Sequence, residues 1–380
     1  MRLSIPVSAF VAAIVGFGGT LALIIAAAEA VGATRQETAS WVTAICLAMA
    51  VESLWLSWRT KMPVITAWST PGAALVAASS GFTMADAVGA FILTALMLIA
   101  TGLFGPLTRL IARIPASVAS GMLAGIVVSF AIGAVKTIPV DPWLMLPLIA
   151  AFFIIRLFNP ALSVLAVLVG GGLAAFLTGR VGGLPAPELS TLTLIAPDFS
   201  LSAAIGLALP LYLVTMASQN LSGLAVLRAA GYHPEPGPLI SVTGLVSLVT
   251  APFGALTTNL AAISAAICTG PDVDPDPAQR WKTGPFYALA YVIFAIFGAS
   301  LVAIFAVLPQ NLIVLVAGLA LMAPLANALA IALKEEAQRM AATTAFAVTA
   351  SGLTLFGIGS AFWGLIAGLT VLGLESSKKR

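Results

Sequence analysis

The sequence predicts an all-α integral membrane protein with 14 transmembrane segments in a 7+7 inverted repeat. Segments 3 and 10 are each expected to join a short extended stretch to a half-helix. Three observations lead there: the composition, the placement of basic residues, and two matched Pro-to-Gly segments half a chain apart. Of 380 residues, 60% are apolar and 8% charged, and the mean hydropathy is +1.09. Soluble domains carry about 25% charged residues, so this chain lacks the polar surface that a globule in water needs. That excludes a cytosolic enzyme, a nucleic-acid binder and a disordered chain. A helix crosses the bilayer core with roughly 20 residues, so fourteen crossings use about 280. The remainder supplies connections and no separate soluble domain.

Apolar runs bounded by Pro, Gly or charge define the segments in order. Segment 6–31 follows Arg2 without a cleavage signal and is expected to stay as a span. Segment 37–58 lies between Arg35 and Arg59, and 63–81 runs from Pro63 to Gly81. Segment 84–105 starts behind Thr83 and Asp86, spaced as a capping box. Segments 115–135, 142–157 and 160–179 each start at a proline, which suits a first helical turn. Segment 200–229 is long and closes near Arg228, and Pro252 divides 237–251 from 252–270. Segments 284–307, 309–333, 340–357 and 359–374 complete the set. The pairs 142–157/160–179 and 340–357/359–374 are short enough that each could also be one bent unit. Cys46 and Cys268 sit in apolar runs and suggest neither a disulfide framework nor a metal site.

Charge decides the count. Cytoplasmic loops concentrate Lys and Arg, so both termini are placed inside. Of the 17 basic residues, Arg35, Lys136 and Arg180 then fall outside, and all others, Arg109 and Arg113 among them, fall inside. Dropping an early segment would invert many later loops.

The repeat is read from Pro63–Gly81, PVITAWSTPGAALVAASSG, and Pro252–Gly270, PFGALTTNLAAISAAICTG. Each has a polar cluster in its middle followed by small residues. Seven segments per half is an odd number, so the halves enter the membrane from opposite faces. Thr70 before Pro71 reads as a helix start, and Asn259 could cap its segment in the same way. The stretches Val64–Ser69 and Phe253–Thr258 would then be extended, with half-helices of about ten residues beginning near Pro71 and Leu260. Irregular backbone at that depth requires protein or a polar cavity around it. Ordinary kinked helices are the other reading.

Other polar groups fall at similar depth. Gly16-Phe17-Gly18-Gly19-Thr20 sits at the centre of segment 1, where its glycines permit close helix approach or local unwinding. Thr215–Asn220, TMASQN, interrupts segment 8 with amides that could bond between helices or face a ligand. Glu52 is the deepest acid. Snorkelling or pairing with a basic group such as Arg59 is one reading of it, and a proton relay is the other. Glu29 is placed at an interface. Asp272, Asp274 and Asp276 are expected in a solvated loop, and His233 stands alone among prolines. Paired acids, a His cluster and a Ser–His or Ser–Lys pair at membrane depth are all missing, so no intramembrane enzyme is indicated. No cofactor or metal is expected.

The stretch Leu213–Tyr232, LVTMASQNLSGLAVLRAAGY, resembles the signature of the benzoate/proton symporter family. Ile65–Leu75, ITAWSTPGAAL, and the Pro252–Gly270 segment support the likeness, although Ser222 stands where relatives would carry Pro. That family is similar in architecture to nucleobase and sulfate-type carriers. The resemblance implies a core domain of 1–113 and 200–307 and a gate domain of 114–199 and 308–374, moving like an elevator. It implies proton-driven uptake of benzoate or a related aromatic carboxylate across a bacterial inner membrane. A nucleobase or inorganic-anion carrier on the same scaffold is the alternative. Substrate would lie among Phe17, Gly19, Thr20, Trp68, Ser69, Thr70, Gly72, Met216, Gln219, Asn220, Thr258 and Asn259. Glu52 is the candidate for proton coupling. Nucleobase carriers place acids on segments 8 and 10, whereas these neighbourhoods hold Ser218-Gln219 and Thr258-Asn259. Neutral donors suit an anion that a carboxylate would repel. The expected partners are the aromatic acid, protons and lipid, with a homodimer compatible and nucleic acid not expected.

Overall fold

The computed structural model describes residues 2–104, 115–160, 162–181, 183 and 185–378. Arg109, Arg113, Lys379 and Arg380 of the charge argument lie outside the described residues. The first half runs α1 (Ser4–Ala30), α2 (Arg35–Thr60), β1 (Thr66–Trp68), α3 (Thr70–Ala77), α4 (Met84–Leu103), α5 (Ala116–Lys136), α6 (Pro142–Phe158) and α7 (Ser163–Leu177). The second runs α8 (Leu201–Ala229), α9 (Pro236–Thr250), β2 (Thr258–Leu260), α10 (Ile263–Thr269), α11 (Thr283–Ile296), α12 (Gly298–Val307), α13 (Gln310–Ala320), α14 (Met322–Ala332), α15 (Arg339–Ala350) and α16 (Ser360–Lys378). Among the described residues, eight helical stretches are long and apolar enough to cross a membrane, with α13–α14 counted as one. This is a mostly helical, multi-pass membrane protein.

Local chemistry sets the helix starts. Thr34 and Glu37 form a capping box at α2, and Thr83 and Asp86 form the expected one at α4. Asp141 caps α6, and Ser200 caps α8. Reciprocal side-chain bonds there satisfy amides that an unprotected helix end leaves unpaired.

Packing falls into two groups. In one, α2 packs along α11, α4 along α9, and α1 against α3, α10 and α11. In the other, α5 is surrounded by α13, α14, α15 and α16, while α7 lies on α6 and α13. Helix α1 meets α7 and α13 across the boundary, and α3 meets α5. The helices of the pairs α6/α7 and α15/α16 pack against one another.

Segment 284–307, expected as one helix, is bent by 61° between α11 and α12. A connection along 188–198 occupies the break: Ser190 N donates to Ile296 O at 3.0 Å, and Ala299 N donates to Ser190 Oγ at 2.8 Å. The same connection bonds to Pro252 O through Ile195 N and to Ala85 O through Asp198 N. Carbonyls and amides freed by the bend thus find partners. The acidic loop is less solvated than expected. Asp274 is buried, its Oδ1 accepts from Asp276 N, and the buried Arg280 donates to the carbonyls of Asp274, Thr269 and Pro275.

Candidate functional site

The two matched segments meet as an antiparallel strand pair, with Thr66 opposite Leu260, Ala67 opposite Asn259 and Trp68 opposite Thr258. Ser69 N→Thr257 O (3.2 Å) and Ala261 N→Ile65 O (2.9 Å) extend the pairing at both ends. Extended backbone inside a helical membrane protein is tolerable because each strand satisfies the other. One short helix leaves each strand, α3 with eight residues and α10 with seven.

This arrangement corrects the expected caps. Ser69, not Thr70, is the N-cap of α3: its Oγ accepts from Gly72 N at 3.1 Å, with Pro71 inside the first turn. Asn259 caps nothing, because it lies within β2, and the following helix starts at Ile263 rather than Leu260. The amides of Leu260 and Ala261 are drawn into bonds with Asn220 Oδ1 (3.0 Å) and Ile65 O, which keeps the chain extended past Asn259. The extended stretch therefore lies later than Phe253–Thr258. Residues 251–253 form a 3-10 turn, and Gly254 reverses the chain at φ 87°.

Segment 8 is continuous, but Ala204–Ala208 and Thr215–Asn220 are π-helical. A π turn widens the helix by one residue per turn and is frequent at functional sites. Here it presents three side chains to the strand crossing. Thr215 Oγ1 donates to Ser69 Oγ at 3.0 Å, Asn220 Oδ1 receives Leu260 N, and Asn220 Nδ2 donates to Met216 Sδ at 3.5 Å. The side chains of the half-buried Gln219 and of Thr70 make no hydrogen bond among the described residues. Asn259 Nδ2 donates to Ala67 O at 3.0 Å, which leaves its second N–H, while its buried Oδ1 has no partner.

An aromatic wall flanks these groups. Trp68 Nε1 donates to Thr20 Oγ1 at 2.8 Å, which fixes the indole against α1. The Phe17 ring centroid lies 5.7 Å from Trp68 and 4.5 Å from Phe294, and Tyr291 lies 6.4 Å from both Trp68 and Phe17. Tyr287 stacks near Tyr291 at 4.7 Å and donates to Thr66 O at 3.0 Å. Tilted and edge contacts of this kind fix the rings beyond simple burial. A Cβ at Gly72 would lie 2.7 Å from Ser69 Oγ and 2.9 Å from Ser69 Cβ, so a side chain there would displace the cap of α3. Gly19 faces α7, 3.9 Å from Val164 Cβ at its would-be Cβ.

Behind the strands lies Glu52, 0% exposed, accepting from Thr258 Oγ1 at 2.5 Å through Oε1, while Oε2 is unpaired. Arg59 is exposed, and neither ion pair among the described residues involves Glu52. Among the described residues, Glu52 thus neither reaches the surface nor meets a basic partner.

Bonds and ring contacts thus bring Phe17, Thr20, Trp68, Ser69, Gly72, Met216, Asn220 and Asn259 to one crossing, with Thr70 and Gln219 next to them in sequence. Gly19 is turned toward α7 and Thr258 toward Glu52. The sequence reading missed Tyr287, Tyr291 and Phe294 of α11, whose spacing of four and then three residues marks one helix face. It noted Thr215 within TMASQN but gave no role to its hydroxyl, which supports the cap.

A family model described as benzoate membrane transport protein matches residues 1–374. The chain belongs to that family. Two curated relatives agree with the family match along nearly the whole chain. The inner membrane protein YdcO of Escherichia coli (strain K12) is 41% identical over 390 residues, covering 100% of both chains. A benzoate membrane transport protein of Acinetobacter baylyi is 34% identical over 369 residues, covering 97% of this chain and 94% of the relative. The fold is that of known anion carriers. The transmembrane domain of the cyanobacterial bicarbonate transporter BicA superposes with a TM-score of 0.61 at 15% identity, covering 97% of this chain and 98% of that one. SLC26A9 gives 0.68 at 12% identity, covering 98% of this chain and 65% of its own. Membership of the benzoate transport family makes this a membrane transporter.

Proposed function

We propose that the protein imports benzoate or a closely related aromatic carboxylate across the bacterial inner membrane together with protons. The observation that carries this reading is the meeting of an aromatic wall with uncharged hydrogen-bond donors at the strand crossing. The ring of the substrate would pack on Phe17, Trp68, Tyr291 and Phe294. Thr70 Oγ1, Gln219 Nε2 and the second N–H of Asn259 would donate to its carboxylate. Removing an anion from water is costly unless such donors replace the lost hydration. The N-terminal amides of α3 add favourable partial charge. Among the described residues, no carboxylate bonds to Thr70, Gln219 or Asn259.

Proton coupling is assigned to Glu52. A buried acid held by the hydroxyls of Thr258 and Thr66, with one unpaired oxygen and no counter-ion among the described residues, is costly to keep ionised. Binding a proton removes that cost. We take the two packing groups as the bodies of an elevator: a core of 1–113 and 200–307 carrying the site, and a gate of 114–199 and 308–374. Fourteen membrane segments with both termini cytoplasmic fit this division. In this count the β1–α3 and β2–α10 units serve as segments 3 and 10. A homodimer is compatible with this arrangement.

The test is uptake of labelled benzoate by proteoliposomes, with and without an imposed pH gradient and with a panel of competitors. Accumulation driven by an inward proton gradient and blocked by aromatic acids is expected. Thr70→Ala and Asn259→Ala should each reduce uptake while leaving protein in the membrane. Competition by uracil or sulfate but not benzoate would point to a nucleobase or inorganic-anion carrier. Unchanged uptake in both variants would discredit the site.

A further inference from the structure

We propose that Thr258 is the positioning residue that couples proton and substrate: its hydroxyl joins Glu52 to the strand carrying Asn259. The inference rests on Glu52 as the proton carrier. The two repeats build nearly the same clamp. In the first, Thr66 N donates to Ser53 Oγ at 3.0 Å, and the two hydroxyls lie 3.0 Å apart. In the second, Thr258 N donates to Ser247 Oγ at 3.0 Å, and the hydroxyls lie 2.9 Å apart. Each clamp fixes a strand to the long helix that precedes it.

The clamps differ in the chain between serine and threonine, 13 residues in the first and 11 in the second, and in the residue before the serine. The residue before Ser247 is Val246, whereas the residue before Ser53 is Glu52, which reaches across to Thr258. The clamp does not need the acid, because Thr258 Oγ1 already has Ser247 Oγ and, at 3.5 Å, Thr243 O within reach. A threonine hydroxyl has one hydrogen to donate. With Glu52 ionised, that hydrogen goes to Oε1. When a proton from water adds to the carboxylate, the acid can donate to Thr258 Oγ, and the threonine hydrogen turns to Ser247 or Thr243. Only O–H bonds form and break, and the proton returns to water on the other face. Successive strand residues point to opposite faces. The reversal at Thr258 is therefore one residue from Asn259, whose Oδ1 is buried and unpartnered.

Few titratable groups can compete. Helix α2 carries Arg35, Glu37, Cys46 and Arg59 besides Glu52, and the elements packed on it add Tyr287 and Tyr291 of α11 and Glu29 of α1. The 277–282 turn adds Arg280 and Lys282, whereas β1, β2, α9, α12 and the 251–253 turn add none.

The experiment uses the full chain in proteoliposomes and records labelled benzoate uptake and internal pH together. Variants are Thr258→Val, Thr258→Ala, Thr258→Ser and Glu52→Gln. Valine keeps the shape and alanine leaves space, so a folding defect in one leaves the other to report. The stimulation of uptake by an inward proton gradient should fall about tenfold in both, the size of a typical coupling between sites. Serine should restore it. Coupling lost in Glu52→Gln but intact in Thr258→Val and Thr258→Ala overturns the Thr258 assignment alone. Equal impairment in Thr258→Ser and Thr258→Val also overturns it, since a merely structural role would look that way. Gradient-driven accumulation by Glu52→Gln overturns both readings.

Discussion

Ser69→Ala probes the junction on which the site is built. The Ser69 hydroxyl does two things at once: it caps α3 through Gly72 N and accepts the bond from Thr215 on the π turn of α8. Loss of a helix cap costs about 1 kcal/mol. Both Ser69 and Thr215 are fully buried, so the stranded Thr215 hydroxyl adds about 1–3 kcal/mol. The variant should therefore lose roughly 2–4 kcal/mol of stability. Thr215→Val removes the donor but leaves the cap, and should cost about 1 kcal/mol. In the double variant no hydroxyl is stranded, so its loss should fall short of the sum by about 1 kcal/mol or more. The assay is chemical unfolding in mixed micelles, followed by tryptophan fluorescence, for the wild type, both single variants and the double. Strict additivity, within about 0.5 kcal/mol, would refute the claim that one hydroxyl serves both helices.

Two further outcomes follow from the same geometry. Trp68→Phe keeps a ring on the wall but removes the donor to Thr20 Oγ1, so benzoate affinity should fall by roughly tenfold or less in an equilibrium binding assay. Asn220→Ala leaves the Leu260 amide buried without its acceptor and should lower unfolding free energy by about 1–3 kcal/mol, with Asn220→Asp less severe because an acceptor oxygen remains.

What the sequence revealed and what it hid follow from the range of the interactions. Capping boxes at Thr34 and Thr83 are decided within three residues, and the one at Thr83 was legible in advance. Breaks at residues 63–81 and 252–270 were legible too, because Pro, Gly and polar residues in an apolar background leave few other structures. Their register was not. Nothing in the sequence laid the two stretches against each other, and the strands pair Ala67 with Asn259. The deciding bonds come from Asn220 and Ile65, remote in sequence, and no local propensity reports them. The bend between α11 and α12 was hidden for the same reason, since Ser190 of a distant connection satisfies it. Tyr291 and Phe294 lie in an apolar run with no local signal, and only folding brings Phe17 of α1 against both.

The strand pair has a consequence for biogenesis. Asn259 and Ala67, which bond to one another, are 192 residues apart. Ribosomes add about 5–20 residues per second, so β1 waits roughly 10–40 s for its partner to be made. During that interval the newly inserted N-terminal half carries open amide and carbonyl groups that lipid cannot satisfy. The nascent chain must therefore shelter this stretch, at the translocon or in water near the interface, until the C-terminal half arrives to close it.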